Sequence, residues 1–169
     1  MFNVNRPGRS SICHTTMGES ERNGIVSCQA VSAVLPLYAA GCYDRTVEFY
    51  GALRVMLCVL RGHLWGVTQV TFTKDGTKLF AGGRKGNEVL CWDLRQPGMV
   101  NTMQREVTTN QTIQFTLSTF QKYLRVAINN GNVRVWVLDI VGGHSDGRHG
   151  TLGWVAALHG HNALVLFKY

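Results

Sequence analysis

Proline is scarce in this chain, at 3 of 169 residues, and charged side chains make up only 16% of it, which excludes both a proline-rich extended linker and a charged disordered tail. The 5 cysteines are odd in number, lie at least fourteen residues apart and include no C-x-x-C pair, so neither a zinc site nor a disulfide framework is implied. Four of them, Cys28, Cys42, Cys58 and Cys91, fall in apolar strand-like runs, where a thiol behaves as a small buried hydrophobe. No segment is long and apolar enough to cross a bilayer, and Met1 to Pro7 lacks the apolar core of a secretory signal, so a soluble, unsecreted protein is expected and the Asn110-Gln111-Thr112 sequon is expected to stay unglycosylated. Catalytic signatures are missing as well: there is no Gly-x-Ser-x-Gly, no His-Glu-x-x-His and no phosphate-binding Gly-x-x-x-x-Gly-Lys. Gly82 to Gly86 has the wrong spacing for a phosphate loop and opens no helical pattern. A chain without enzyme activity or cofactor is therefore expected.

Acidic residues are also few. Ten Asp and Glu stand against 17 Lys and Arg, a formal charge of +7 that favours a polyanionic partner. The basic residues are dispersed, so only folding can assemble them into a surface.

What the chain has is glycine, 19 residues, between short runs rich in Val, Thr, Phe and Tyr, the composition of short strands joined by tight turns. A frame recurs: a strand, a turn, a small-residue strand, a turn, and a strand ending in an aromatic. It runs first through Ile25 to Cys28, Leu37 to Gly41 and Val47 to Tyr50. The second passage is Val67 to Phe72, Leu79 to Gly83 and Val89 to Asp93, and the third is Ile113 to Leu117, Leu124 to Ala127 and Val133 to Trp136. The closing aromatics Tyr50, Trp92 and Trp136 are 42 and 44 residues apart, the spacing of one four-stranded blade of a β-propeller. Gly62-His63 before the second frame and Trp92-Asp93 at its end are the two dipeptides of the WD repeat.

The expected fold is all-β: a WD-repeat β-propeller fragment of about three complete four-stranded blades with partial ends. The expected divisions are 1–23, the end of a preceding blade and a connection; 24–60, 61–104 and 105–158, three blades, the last with a long loop at 138–150; and 159–169, a partial or divergent tail. Gly150 to Val155 is expected to begin an outer strand. Three blades cannot close a ring, so exposed sheet edges are expected if the chain stands alone, and it reads as part of a longer protein. In WD repeats an Asp in a tight turn, the His of Gly-His and the closing Trp form a hydrogen-bonded network. Asp44 holds that Asp position in the first frame, but the same offset before Trp92 is Gly86 and before Trp136 is Asn130. His63 thus lacks its own Asp, and weaker ties are expected in its blade. Asp44, His63, Trp92, Asp93, Arg95 and Trp136 are read as structural residues of the repeat. His144, His149, His159 and His161 cluster in or near a Gly-rich stretch, without the fixed geometry or sulfur and carboxylate partners that a metal requires.

Cys91-Trp92-Asp93-Leu94-Arg95-Gln96 followed by Arg105-Glu106-Val107-Thr108-Thr109-Asn110-Gln111 resembles the telomerase Cajal body protein family, with further matches at Arg6 to Arg9, Gly24 to Cys28, Pro36 to Ala39 and Ala81 to Lys85. The resemblance covers roughly residues 1 to 137 and fades from Leu138. It implies a nuclear, non-catalytic WD-repeat scaffold that binds the CAB box of small Cajal body RNA and telomerase RNA, directs them to Cajal bodies, associates with telomerase ribonucleoprotein components, folds with the cytosolic chaperonin and does not engage a membrane. Arg and Lys meet phosphates in RNA loops, and Asn, Gln and Thr read base edges. Arg84, Lys85, Arg105, Thr108, Thr109, Asn110 and Gln111 are therefore the candidate RNA-binding residues. Two alternatives stay open: a connection that merely binds its own backbone through Thr and Asn side chains, and a generic protein-interaction platform.

Overall fold

The structure, a computed structural model, describes residues 24–53, 55–96, 99–105, 107, 110–127, 133–138, 153–158 and 164–168. The predicted connection 1–23, Glu106, Thr108, Thr109, Asn130, most of the 138–150 loop and all four clustered histidines lie outside them. Among the described residues there are thirteen strands and no helix.

The strands form three antiparallel sheets. The first has the order β1 (Val26–Val31), β2 (Leu37–Cys42), β3 (Val47–Gly51), β4 (Met56–Leu60). The second repeats it with β5 (Val67–Phe72), β6 (Lys78–Gly83), β7 (Glu88–Asp93) and β8 (Met99–Gln104). The third runs β9 (Phe115–Leu117), β10 (Tyr123–Ala127), β11 (Val133–Val137), β12 (Gly153–Leu158) and β13 (Leu164–Lys168). Each expected frame is found, with a fourth strand added in the first two sheets and a fourth and fifth in the third. The outer strand expected from Gly150 to Val155 is β12, starting at Gly153. Within the expected tail, β13 pairs back on β12, with Val155 opposite Phe167 and Leu158 opposite Leu164, the apolar run Leu164 to Phe167 being long enough for a hairpin arm.

Side-chain alternation decides how the sheets stack. In the second sheet Leu79, Ala81, Leu90 and Trp92 pack with Ala39, Val47 and Phe49 of the first. Their neighbours Phe80, Val89 and Cys91 pack with Phe115, Leu124, Val126 and Trp136 of the third. With period two, a strand covered on both faces needs an unbroken apolar run, which is why Val89-Leu90-Cys91-Trp92 contains no polar residue. Trp92 and Trp136 each face the preceding sheet, and both are buried.

The small residues of the second strands mark where the next sheet arrives. A Cβ on Gly41 would lie 2.6 Å from Val67 Cγ1 and 2.5 Å from Cys28 Sγ, and one on Gly82 would lie 3.1 Å from the Phe115 ring. A register shift at Ser27 in β1 recurs at Thr68 in β5, and each hydroxyl donates to the matching glycine carbonyl, Ser27 to Gly41 at 3.0 Å and Thr68 to Gly82 at 3.3 Å. Ser27 Oγ also donates to the Val67 carbonyl of the next sheet. Between the second and third sheets Gln69 does the joining: Nε2 donates to Phe115 O at 2.7 Å and Oε1 accepts from Phe115 N at 2.9 Å.

The thiols divide by strand position. Cys42 and Cys91 are buried and Cys28 is half-buried, and burial pushes the Cys91 thiol up to about 12, so it acts as core. Cys58 is exposed, contrary to the sequence reading, because it lies on the outermost strand β4, which no further strand of that sheet covers.

Candidate nucleic-acid interface

The turns between second and third strands and the connections between sheets meet on one face. Tyr43 N donates to Ile25 O at 2.9 Å, and the equivalent Arg84 N donates to Gly66 O at 2.7 Å, so each turn is pinned to the segment entering the first strand. Tyr43 also lies directly on Gly66, where a Cβ would come within 2.9 Å of Tyr43 O. The turns of the first and second sheets are thereby linked through the Leu64-Trp65-Gly66 connection.

Arg84 and Lys85 occupy this face and are exposed. Arg84 Nε donates to Asn110 O at 3.2 Å, which joins the basic turn to the connection carrying Asn110 and Gln111. Lys85 is in the left-handed region at φ 57°, a conformation that costs a non-glycine residue of order 1 kcal/mol or more and that clusters at binding sites. From there its ammonium stands 5.7 Å from the centroid of the Trp65 ring, a cation–π arrangement. Trp65 is 49% exposed, Leu64 70% and Tyr43 48%, an aromatic surface between the basic turns that a search for polar residues passes over. The available sequence signal was a Trp outside every closing position of the frame.

Arg105 is a correction. Expected to contact RNA, it is 2% exposed. Its guanidinium donates to Gly86 O from Nε at 2.9 Å, to Ile113 O from Nη1 at 2.9 Å and to Gly83 O from Nη2 at 2.7 Å, while its backbone N donates to Asn87 O at 2.7 Å. Burial lowers its pKa from the ordinary guanidinium value, yet three carbonyls replace lost water. No part of the side chain is left to meet a phosphate. It is a clamp between the turn of the second sheet and the entry to the third.

That clamp bears on the missing Asp before Trp92. His63 is buried beside the closing Trp, with ring centroids 5.5 Å apart. Its Nε2 has no hydrogen-bond partner among the described residues, and burial, with Arg105 nearby, lowers its pKa to about 4. The weaker ties expected in this sheet are thus offset by a different device, an arginine that holds the turn by its carbonyls. In the first sheet the turn Asp is present: Asp44 Oδ1 accepts from Thr46 N at 3.2 Å and Thr46 Oγ1 at 2.6 Å.

Asp93 and Arg95 belong to the opposite end of the sheet. Arg95 Nη2 lies 2.7 Å from Asp93 Oδ2, and Arg95 N and Nε both donate to Asp93 Oδ1. These hydrogen bonds hold the Asp93 carboxyl down at about 2. Arg95 is thus occupied within its own turn. Trp136 lies in the core under Arg134, whose Nη1 donates to Gln104 O at 2.9 Å. Among the described residues no group of three His, Cys, Asp or Glu side chains is placed to hold a metal ion.

Repeated antiparallel sheets, stacked face to face and joined by their first strands, with turns and connections gathered on a shared face, define a partial-propeller repeat scaffold. No protein-family model matches the chain. It is 43% identical over 152 residues to telomerase Cajal body protein 1 of Rattus norvegicus, covering 86% of this chain and 28% of that protein. The human protein of that name is 40% identical over 154 residues, 88% of this chain and 27% of the relative. The Drosophila melanogaster homolog is 40% identical over 88 residues, 48% of this chain and 16% of the relative. Over 86% of its length the chain is homologous to telomerase Cajal body protein 1, and it spans about 28% of the length of the first of these relatives. The name of these relatives agrees with the nuclear, Cajal-body location that the resemblance implied.

Proposed function

We propose that this chain is an RNA-binding part of a non-catalytic scaffold that takes small Cajal body RNA and telomerase RNA to Cajal bodies, in company with telomerase ribonucleoprotein components and after folding by the cytosolic chaperonin. The observation that carries the reading is the Arg84 to Asn110 hydrogen bond, which unites the basic turn with the polar connection that matches the family pattern. Arg84 and Lys85 supply phosphate contacts, and Asn110 and Gln111, with Thr108 and Thr109 in the same connection, supply donors and acceptors for unpaired bases. Arg105 contributes by fixing the turn that carries Arg84 and Lys85.

The test is salt-titrated binding of the chain to a CAB-box RNA hairpin, comparing wild type with Arg84→Glu/Lys85→Glu. Each lost phosphate contact on a single strand flattens the slope of log K against log salt by about 0.7, so the double variant is expected to lose affinity and about 1.4 of slope. An unchanged slope rejects the patch.

A protein-interaction platform is the second reading, favoured by the exposed apolar side chains Val55, Met56 and Leu57 on and beside the outermost strand of the first sheet. Partners that survive nuclease treatment and are lost on Leu57→Asp support it.

A further inference from the structure

We propose that Trp65 is a stacking platform for an unpaired nucleobase, with Lys85 and Arg84 receiving the adjoining backbone phosphates. The proposal rests on the RNA-binding reading and deepens it, by placing the base-recognising surface on a residue outside the polar set.

Four observations converge on it. Trp65 is half exposed, whereas Trp92 and Trp136, the closing aromatics of their sheets, are buried. An indole left half in water by a fold that buries Trp92 and Trp136 has a face free to take a flat aromatic partner. Secondly, Trp65 is held in place by its backbone. Its backbone carbonyl lies 3.2 Å from where a Gly83 Cβ would be, and Gly66, next in the chain, accepts the Arg84 N–H and packs on Tyr43. Gly83 and Gly66 let these segments approach so closely. Thirdly, a cation is already in place: Lys85 reaches the ring from a left-handed backbone position that glycine adopts without strain. An ammonium beside a stacked base is well placed for the base's phosphate. Fourthly, Tyr43 across Gly66 offers a second half-exposed ring, and Arg84 extends the positive charge towards Asn110. Alternating rings and cations along one face suit a single strand with its bases turned out. A duplex, whose bases stack on each other, has no face to offer.

The experiment uses the 169-residue chain and three probes of equal length: a single-stranded RNA oligomer, the same sequence paired in a duplex, and an oligomer with abasic positions in its centre. Wild type is expected to bind the single strand with quenching of tryptophan fluorescence and to bind the duplex and abasic strands about tenfold more weakly, the order of one lost base–aromatic stack. Trp65→Ala is expected to lose about tenfold in affinity for the single strand and most of the quenching, with an unchanged salt slope, because no phosphate contact has been removed. Trp65→Phe is expected to restore most of the affinity. Lys85→Ala gives the converse pattern, a flatter salt slope with quenching retained. If wild type binds the single strand and Trp65→Ala binds it equally well, or if the abasic strand binds as tightly as the intact one, the platform is overturned while the RNA-binding reading stands. If wild type binds none of the three probes, both are overturned.

Discussion

The carboxamide of Gln69 is paired with the backbone of Phe115 as one strand pairs with the next, giving a hydrogen bond at 2.7 Å and taking one at 2.9 Å. A side chain on one sheet thereby completes the edge of the first strand of another, and β9, only three residues long, is held by more than its own ladder.

Gln69→Leu removes both bonds while keeping the volume. At about 1 kcal/mol for each neutral hydrogen bond, unfolding is expected to become easier by about 2 kcal/mol. Hydrogen exchange at the Phe115 amide separates a local effect from a global one: its protection is expected to fall more than that of amides in β6.

Gly82→Val and Gly41→Val each introduce a Cβ where the next sheet already lies. Overpacking of this kind costs about 1–3 kcal/mol. Gly41→Val is expected to be the worse of the two in chemical denaturation, since its Cβ meets side chains at 2.5 and 2.6 Å, against 3.1 Å at Gly82.

Arg105→Met strips three buried carbonyls of their donor. A loss of about 3 kcal/mol is expected, within the range for several buried groups left unsatisfied. Arg105→Lys, with one point of attachment in place of a planar fork, is expected to recover only part of it. Equal stability of Arg105→Met and wild type in urea denaturation would show that the carbonyls find water instead.

His63 makes stability depend on pH in a defined direction. Its pKa falls from 6.5 to about 4 on folding, so between those values the unfolded chain binds the extra proton. The contribution is fully present above pH 6.5, is lost progressively as pH falls towards 4 and changes no further below that, with a total of about 3 kcal/mol at about 1.4 kcal/mol per pKa unit. His63→Gln is expected to flatten the stability profile across this window relative to wild type, measured by denaturant unfolding at each pH.

Arg95→Ala is the control for the basic face. Arg95 is engaged with Asp93 at the end of the sheet away from Arg84 and Lys85, and exposed pairs of this kind contribute little to stability. RNA affinity and its salt slope, read by fluorescence anisotropy, are expected to stay at wild-type values.

The frame was legible because period-two burial leaves its mark on sequence: Tyr50, Trp92 and Trp136 all sit in the third strand of their sheets, opposite Tyr38, Leu79 and Leu124. The glycines at 41 and 82 were visible as small residues, but the reason for them, a neighbouring sheet at van der Waals distance, belongs to packing. The fourth strands were harder to see, because an outermost strand such as Met56–Leu60 is half solvated and carries no turn residue or closing aromatic. Arg105 misled for a chemical reason. A guanidinium satisfied by main-chain carbonyls has no partner residue in the sequence to betray its burial. Trp65 was passed over because exposure, which sets it apart from Trp92 and Trp136, is not a property of composition.

The clamp at residue 105 has a consequence for how the protein is made. Strands β5, β6 and β7 and the turn at Gly83 to Gly86 leave the ribosome before Arg105, and Ile113, its third acceptor, leaves later still. The upper turn of the second sheet is therefore sealed only when the opening of the third has been translated. Synthesis proceeds as a relay in which each finished sheet waits for the start of its successor, and a chain stalled between positions 87 and 105 would present a helper protein with an unlatched turn.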